Sequence, residues 1–245
     1  MASPGGIVEA LVVAHSFRDL SLLAMKRFAR MKLLKQQRTL FAELLTDTAA
    51  CRKCPAMCGR TPVLSERNGA LDARVMFIGE APGRQGGDRT RVPFSGDQSG
   101  RNFTRYLDSI NLSRDRIFIT NSALCNPRTA TGANRKPSGA EIANCSDFLR
   151  RQIETIDPPV VVTLGAVALA ALSRIEYHRF SLKEAAGQVH HWRGRLLVPL
   201  YHPSPQVLAS HRREAAQIED YQAVARALRI IEIEDTANAG LTAKV

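Results

Sequence analysis

Three polar side chains of different chemistry each stand at or just after the end of an apolar run: Glu80, Asn121 and His202. A carboxylate can accept a proton or stabilise a developing cation, and an imidazole can stabilise negative charge on a leaving group. A side-chain amide offers both hydrogen-bond donors and an acceptor. If the fold brings the three groups together, the sequence predicts a site that binds a polar ligand and does chemistry on it.

Four short, mostly aliphatic runs predict buried parallel strands. Helix-length stretches separate them, and one of these opens with a capping-box pattern, Ser138 with Glu141. The alternation predicts a three-layer α/β/α sandwich around a central, mainly parallel four-stranded sheet. Ligands bind such sheets at the carboxyl ends of the strands, so we expect Glu80, Asn121 and His202 to share one cleft. The four runs are Val75–Gly79, Ile117–Asn121, Val160–Leu164 and Leu196–Leu200.

A chain of 245 residues fits one α/β domain with an appendage better than two full domains. Residues 1–48 are predicted to form a helical extension of one or two amphipathic helices, because apolar residues recur there at helical spacing among Lys and Arg. Packing against the main domain is the favoured role of this extension. We expect residues 49–232 to form the α/β domain and residues 233–245 to form a flexible tail.

Basic residues outnumber acidic ones by 34 to 23, which gives a formal net charge of +11. Such an excess favours a polyanionic partner, and nucleic acid is the leading candidate. From the charge alone, a generic basic surface explains the excess as well as a nucleic-acid partner does.

The longest early apolar run, residues 7–14, is interrupted by Glu9 and is too short to span a bilayer. No secretory cleavage site follows it. We therefore expect no membrane association and a place in the cytoplasm of a bacterium or archaeon. We also expect the protein to be a monomer that is associated with the nucleoid.

Cys51 and Cys54 form a C-x-x-C pair, and Cys125 and Cys145 lie far downstream. In a reducing compartment, clustered cysteines are more typical of metal ligands than of disulfides, and four thiolates suffice for a cluster. A structural zinc ion remains open, as does simple burial of the two distant cysteines in the core. Cys58 is interpreted as a spare thiol, although it could replace one distant ligand.

The ordered combination of motifs resembles the family 4 and family 5 uracil-DNA glycosylases over about residues 51–225. Gly79-Glu80-Ala81-Pro82-Gly83 resembles family 4, whereas the insert Gly86–Thr90 and Phe94-Ser95-Gly96-Asp97 resemble family 5. The cysteines, Thr120-Asn121 and His202-Pro203-Ser204 complete the pattern.

This resemblance implies an enzyme of DNA base excision repair. Such an enzyme flips uracil, and in the broader family other deaminated bases, out of DNA and hydrolyses the N-glycosidic bond to leave an abasic site. The motifs hold no obvious lysine nucleophile, so we expect hydrolysis without strand cleavage. The resemblance further implies a structural four-iron (4Fe–4S) cluster on Cys51, Cys54, Cys125 and Cys145.

The resemblance also implies roles for single residues. Phe94 would stack on the extruded base, Asn121 would read its hydrogen-bonding edge, and His202 would stabilise the leaving base. Glu80 is the first candidate for stabilising the cationic sugar and orienting water, with Asp88 and Asp97 as runners-up. Asp97 also suits a helix cap. The backbone around the base would come from Gly79, Ala81, Pro82 and Gly83.

Residues after the last predicted strand are expected to meet the DNA. Ser204 begins this segment, Leu208 could wedge into the vacated base stack, and Arg212 and Arg213 could contact phosphates. A solvated charged helix face is the alternative interpretation of the two arginines.

Two other functions remain open. A non-catalytic iron–sulfur protein of the same fold could bind nucleic acid, because Ala81 stands where some related glycosylases carry an acid or an amide. A zinc-stabilised hydrolase could instead act on nucleotides. The metal content of the purified protein and its action on uracil-containing DNA separate these possibilities.

Overall fold

Strands and helices alternate along the computed structural model, which describes the backbone of residues 5–242 and the side chains of residues 24 and 27–237. Residues 1–4 and 243–245, in the predicted extension and tail, lie outside the described residues. The elements are α1 (Gly5–Ala50), β1 (Val75–Gly79), α2 (Gly87–Thr90), α3 (Gln98–Asp108), β2 (Phe118–Asn121), α4 (Gly139–Ile156), β3 (Val160–Leu164), α5 (Ala166–Leu172), α6 (Leu182–Ala185), β4 (His190–Trp192), β5 (Arg195–Leu200), α7 (Pro205–Ser210) and α8 (Glu214–Thr242).

The strands form one sheet in the order β2-β1-β3-β5-β4. The four predicted strands are confirmed as β1, β2, β3 and β5, and they run parallel. The sequence predicted four strands, whereas the sheet has five. The additional strand, β4, has three residues, lies at the edge of the sheet and pairs antiparallel with β5. Its sequence, His190-His191-Trp192, has no apolar run, so the pattern that revealed the other strands was missing here.

Helices cover both faces of the sheet, which confirms the predicted three-layer α/β/α class. Successive strand residues point to opposite faces. Met76 and Ile78 pack in one core with Leu149 of α4, whereas Phe77 packs in a second core with Phe103 of α3. The sheet is therefore buried on both sides, as its apolar strands require.

The capping box predicted at the start of α4 is present. The Glu141 backbone N–H donates to the Ser138 hydroxyl at 3.2 Å, and the Ser138 N–H donates to the Glu141 carboxylate at 2.7 Å. Arg135 pairs with the same carboxylate and lowers the pKa of Glu141 to about 2. The cap thus fixes the chain where the loop after β2 enters α4.

Helix α1 is continuous over Gly5–Ala50, so the predicted extension contains one helix. The chain divides into two units, residues 1–40 and 41–245. The second unit begins inside α1, earlier than the predicted boundary after residue 48, because Phe41 and Leu44 are buried in its core. The packing predicted for the extension stays a prediction.

Helix α8 continues to Thr242, so residues 233–242 of the predicted tail are helical, and their flexibility stays a prediction. Within the part of the chain that the structure describes, no helix combines the length and the apolar character that crossing a membrane requires.

Candidate active site

The carboxyl ends of the parallel strands open onto one cavity of about 540 Å³. Gly79 at the end of β1 pairs with Asn121 at the end of β2, so the residues that follow emerge side by side. Glu80, Asn121 and His202 all line this cavity, together with Phe94. The structure therefore brings together the carboxylate, amide, aromatic ring and imidazole that the sequence singled out.

Glu80 is the cavity carboxylate that follows β1. Its backbone carbonyl accepts a hydrogen bond from the Ala123 N–H at 3.0 Å, which ties the loop to the segment after β2. Burial raises the pKa of Glu80, and the Lys136 ammonium, which lines the same cavity, acts in the opposite direction. Glu80 therefore has a raised proton affinity and a cation nearby. The loop residues after Glu80 also line the cavity: Ala81, Pro82 and Gly83.

Phe94 presents its ring to the cavity from a left-handed backbone conformation, with φ of 48°. This conformation is unfavourable for a bulky residue and needs support from its surroundings. The Arg114 guanidinium donates to the Phe94 carbonyl oxygen at 3.1 Å and also to the carbonyl oxygen of Pro93. The ring centroid lies 5.0 Å from that of Phe103 and 5.5 Å from that of His202.

Two glycines leave room for Phe94. A Cβ atom at Gly100 would lie 2.5 Å from the Phe94 carbonyl oxygen. A Cβ atom at Gly79 would lie 2.8 Å from the Phe94 ring and 2.5 Å from the Asn121 side-chain oxygen. Gly79 thus allows the ring and the amide to approach each other, although it does not itself line the cavity.

Asn121 is held at a rigid position at the end of β2. Asn121 is only 2% exposed, although it lines the cavity. The next residue, Ser122, donates to the Gly79 carbonyl oxygen from its N–H at 2.8 Å and from its hydroxyl at 3.0 Å. These bonds fix the two strand ends together, so the Asn121 amide is preorganised for a ligand.

His202 follows β5 and is fixed through its own turn. Its carbonyl oxygen accepts from Gln217 at 3.4 Å, and the neighbouring Pro203 carbonyl accepts from Asn102 at 2.9 Å. Burial lowers the pKa of His202 to about 4, and the Asp97 carboxylate acts in the opposite direction. The imidazole is therefore neutral near pH 7 and can donate one hydrogen bond to a ligand.

The two aspartates named as runners-up have different surroundings. Asp97 lines the cavity and caps α3 by accepting from the Gly100 N–H at 2.9 Å. Asp88 is only 6% exposed, is ion-paired with Arg91 and Arg128, and is absent from the cavity wall. The structure does not place Asp88 where it could act on a ligand in the cavity.

The residues predicted to meet DNA are dispersed. Ser204 caps α7, accepting from the Val207 N–H at 3.4 Å, and lines the cavity. Leu208 is partly buried on α7 and lies outside the cavity wall. Arg212 binds the buried Asp220 carboxylate through two hydrogen bonds of 2.9 and 2.6 Å, so it is engaged within the protein. Arg213 is exposed.

Several cavity residues were missed by reasoning from the sequence. They lie mainly in the loop after β2, as Asn126, Asn134 and Lys136, and after β5, as Tyr201 and His211. The rule that ligands bind at strand carboxyl ends pointed to these loops but not to single residues within them.

The four predicted ligand cysteines lie near one another. Burial raises the pKa of Cys125 to about 12, and Cys145, Cys51 and Cys54 act in the same direction. Burial also raises the pKa of Cys145 to about 11. Cys58 is exposed, and its interpretation as a spare thiol stays a prediction.

Four thiols are a donor set that suits a four-iron cluster, which takes one thiolate at each iron atom, or a structural zinc ion. Among the described residues, no three His, Cys, Asp or Glu side chains are placed to hold one metal ion. Two of the cysteines accept hydrogen bonds. The Asn144 side-chain nitrogen donates to the Cys54 sulfur at 3.4 Å, and the Leu124 backbone amide donates to Cys145.

The fold and the site define a class of α/β proteins that bind a small polar ligand in a cleft at the carboxyl ends of parallel strands. The family model of the uracil DNA glycosylase superfamily matches residues 66–228, and the chain belongs to this superfamily.

Curated relatives of two types are similar to the chain. A type-4 uracil-DNA glycosylase of Thermotoga maritima is 36% identical over 155 residues, which cover 63% of this chain and 76% of the relative. One of Saccharolobus solfataricus is 34% identical over 193 residues, which cover 76% and 86%. A type-5 uracil-DNA glycosylase of Pyrobaculum aerophilum is 35% identical over 153 residues, which cover 56% and 64%.

Proposed function

We propose that the protein is a monofunctional uracil-DNA glycosylase that also accepts other deaminated bases, and that residues 49–232 carry this activity. The observation that carries the proposal is the convergence of Glu80, Phe94, Asn121 and His202 on one cavity. Membership of the superfamily and the names of the type-4 and type-5 relatives support it.

Base recognition is assigned to Phe94 and Asn121. A base stacked in DNA hides its glycosidic bond, so the enzyme must extrude the nucleotide and hold it by stacking and edge hydrogen bonds. The Phe94 ring would provide the stacking surface. The Asn121 amide would accept from N3–H of uracil and donate to O4, because it carries both kinds of group. Its position at a strand end makes this reading rigid.

Bond cleavage is assigned to His202 and Glu80. As the glycosidic bond breaks, negative charge develops on the base, and the neutral His202 ring can donate to the uracil O2. Positive charge develops on the sugar, where the Glu80 carboxylate would stabilise it and orient the attacking water. Ala81 has no functional group, so this role falls to Glu80. Asp97 would act through His202 and as a helix cap.

Hydrolysis without strand cleavage is the expected reaction. A Schiff-base mechanism needs a neutral amine that attacks the reacting carbon. The sequence motifs that supply Glu80, Phe94, Asn121 and His202 contain no lysine. We therefore expect hydrolysis to an intact strand with an abasic site, and no product trapped by borohydride.

The cofactor proposed is a four-iron cluster on Cys51, Cys54, Cys125 and Cys145. When bound, it would hold three distant segments of the chain together and would not take part in bond cleavage. We also propose that the protein acts as a cytoplasmic monomer on DNA, with Ser204, Leu208 and Arg213 on the side that meets the strand. The net charge of +11 supports a polyanionic substrate.

The test is incubation with an oligonucleotide that contains one deoxyuridine, with and without subsequent alkali. We expect cleavage of the strand only after alkali, and parallel substrates with hypoxanthine and xanthine define the breadth of accepted bases. Asn121→Ala and His202→Ala should each slow excision by about 10²- to 10³-fold while DNA binding persists. Inactivity of the wild type on all three substrates would exclude the enzyme.

Metal analysis tests the cofactor separately. A brown protein that contains iron and sulfide supports the cluster. A colourless protein that contains one zinc ion per chain would instead favour the structural-zinc alternative.

A further inference from the structure

Two loops that border the cavity are joined by a buried polar network. The first loop, residues 80–90, follows β1 and ends in the one-turn helix α2, and the second loop, residues 122–137, follows β2. Asn126 of the second loop is 1% exposed and donates from its side-chain nitrogen to the Pro82 carbonyl oxygen at 2.5 Å. The same nitrogen donates to the Asn134 side-chain oxygen at 3.1 Å, and that oxygen also accepts from the Arg84 N–H at 3.0 Å.

A charged contact continues this network. Arg128 donates to the Asn126 side-chain oxygen at 2.5 Å and pairs with the buried Asp88 carboxylate of the first loop. Asp88 also pairs with Arg91 at 3.3 Å, which in turn donates to the Thr61 carbonyl oxygen at 3.1 Å. Every hydrogen-bonding atom of the Asn126 side chain is thereby used within the protein.

From these contacts we infer that Asn126, Arg128 and Asp88 form a clamp that positions the segment Glu80–Gly83 against the cavity. The inference rests on the proposed function, since it concerns the same site. In this assignment Asp88 is a positioning residue that acts through Arg128. Asn126 itself lines the cavity, whereas Arg128 and Asp88 lie outside its wall and act on the ligand site only through the loop.

The clamp also joins the cavity to the cysteine site. Asn126 directly follows Cys125 in the chain, so whatever holds the Cys125 thiol also restricts Asn126. The loop that carries Glu80 is therefore joined to the cysteine site through Asn126, whose side chain donates to the Pro82 carbonyl oxygen.

A clamp is needed because the first loop is long and rich in glycine. Gly83, Gly86 and Gly87 increase the conformational freedom of its backbone, and this freedom has to be lost before the loop can bind a ligand in a fixed geometry. A displacement of about 1 Å at a reacting group can slow a reaction by roughly 10²-fold. The bond from Asn126 to the Pro82 carbonyl oxygen restricts the beginning of the loop. The pair between Arg128 and the Asp88 carboxylate restricts its end.

The experiment compares Asn126→Ala, Asp88→Asn, Arg128→Met and the double variant D88N/R128M under single-turnover conditions on the deoxyuridine oligonucleotide. We expect each to excise uracil roughly 10- to 100-fold more slowly. Affinity for an oligonucleotide with a stable abasic analogue should change by less than about 2-fold. The rate loss in the double variant should be smaller than the product of the two single losses, because both single variants lose the contact between Arg128 and Asp88.

Two variants serve as controls. Arg128→Lys keeps the charge and should recover part of the rate. Arg195→Met removes a partly buried ion pair with Asp157 at the opposite end of the sheet, and it should retain the wild-type rate. Wild-type rates in Asp88→Asn and Arg128→Met, or losses that simply multiply in D88N/R128M, would overturn the clamp.

Hydrogen exchange separates this inference from the proposed function. In Asn126→Ala, or in Asn126→Ser if the alanine variant does not fold, amides of residues 80–90 should exchange faster while those of the strands do not change. Unaltered exchange in the first loop would overturn the clamp even if no substrate is found. A wild-type protein without activity but with this change in exchange would overturn the proposed function alone.

Discussion

Arg114 holds the backbone of Phe94 by donating a hydrogen bond to its carbonyl oxygen at 3.1 Å. The same guanidinium lies 5.8 Å from the ring centroid of Phe103, and burial lowers the pKa of Arg114. A partly buried cation therefore supports the backbone at Pro93 and at Phe94, whose φ is 48°. The energetic cost of the left-handed Phe94, of the order of 1–3 kcal/mol, is offset by these contacts.

Substitution of Arg114 should release Phe94 from this conformation. We expect Arg114→Met to slow single-turnover excision of uracil by roughly 10- to 100-fold, because the stacking surface is no longer held in place. Arg114 and Arg116 lie in one 3₁₀ helix, Arg114–Arg116, and Arg116→Met, which removes an exposed arginine, is the matched control. A wild-type rate in Arg114→Met would show that ring packing alone fixes Phe94.

Gly100→Ala should destabilise the protein although it lies in a helix. Alanine usually stabilises a helix by about 1 kcal/mol relative to glycine. At Gly100, however, the new Cβ atom would lie 2.5 Å from the Phe94 carbonyl oxygen. We expect the free energy of unfolding to fall by about 1–3 kcal/mol in urea denaturation.

The control for this change is Gly139→Ala at the start of α4. Its nearest neighbour would be an Arg174 side-chain nitrogen at 3.7 Å, an ordinary contact. Stability should therefore stay the same or rise. Equal effects of the two substitutions would refute the steric explanation.

The pKa of His202 predicts a loss of stability in mild acid. Its pKa is about 4 in the folded protein, whereas an unfolded histidine titrates near pH 6.5. The unfolded chain therefore binds more protons between about pH 6.5 and 4, and the free energy of unfolding decreases as the pH falls through this window.

His202→Gln should lose less stability than the wild type between pH 7 and pH 5. The difference is expected to be no more than about 2 kcal/mol, since one pKa unit corresponds to about 1.4 kcal/mol. Urea denaturation at both pH values measures it. Parallel losses in the two proteins would mean that His202 titrates normally when folded.

Substitution of Arg212 and substitution of the adjacent Arg213 should have different effects on stability and on DNA binding. Arg212→Ala leaves the buried Asp220 carboxylate without this hydrogen-bonded partner, so the free energy of unfolding should fall by about 1–3 kcal/mol. Arg213→Ala should change stability by less than about 0.5 kcal/mol and lower the slope of log affinity against log salt by about one. An unchanged slope would argue against a phosphate contact at Arg213.

Sequence reasoning succeeded where one local signal was sufficient. The aliphatic runs gave the four parallel strands, and the carboxyl-end rule placed Glu80, Asn121 and His202 in one cleft before any contact was known. The pattern of Ser138 with Glu141 marked the start of α4 to within one residue.

It failed where the contact depends on the path of a loop. Asp88 and Arg128 are 40 positions apart, and the partner of Phe94 is 20 positions away. No periodicity relates such pairs, so Asp88 was predicted as a second-choice catalytic residue, and Arg114 was not predicted to have any role. Strand β4 was missed because an edge strand needs no apolar run.

Gly79 and Asn121 pair on adjacent strands, whereas the glycine-rich segment beyond Glu80 belongs to a loop. Asn121, which is proposed to read the base, is thus part of the sheet, whereas the segment after Glu80 can vary in sequence without altering a strand. Under the proposed function, substitutions in that segment would change which bases the cavity accepts while the sheet stays intact.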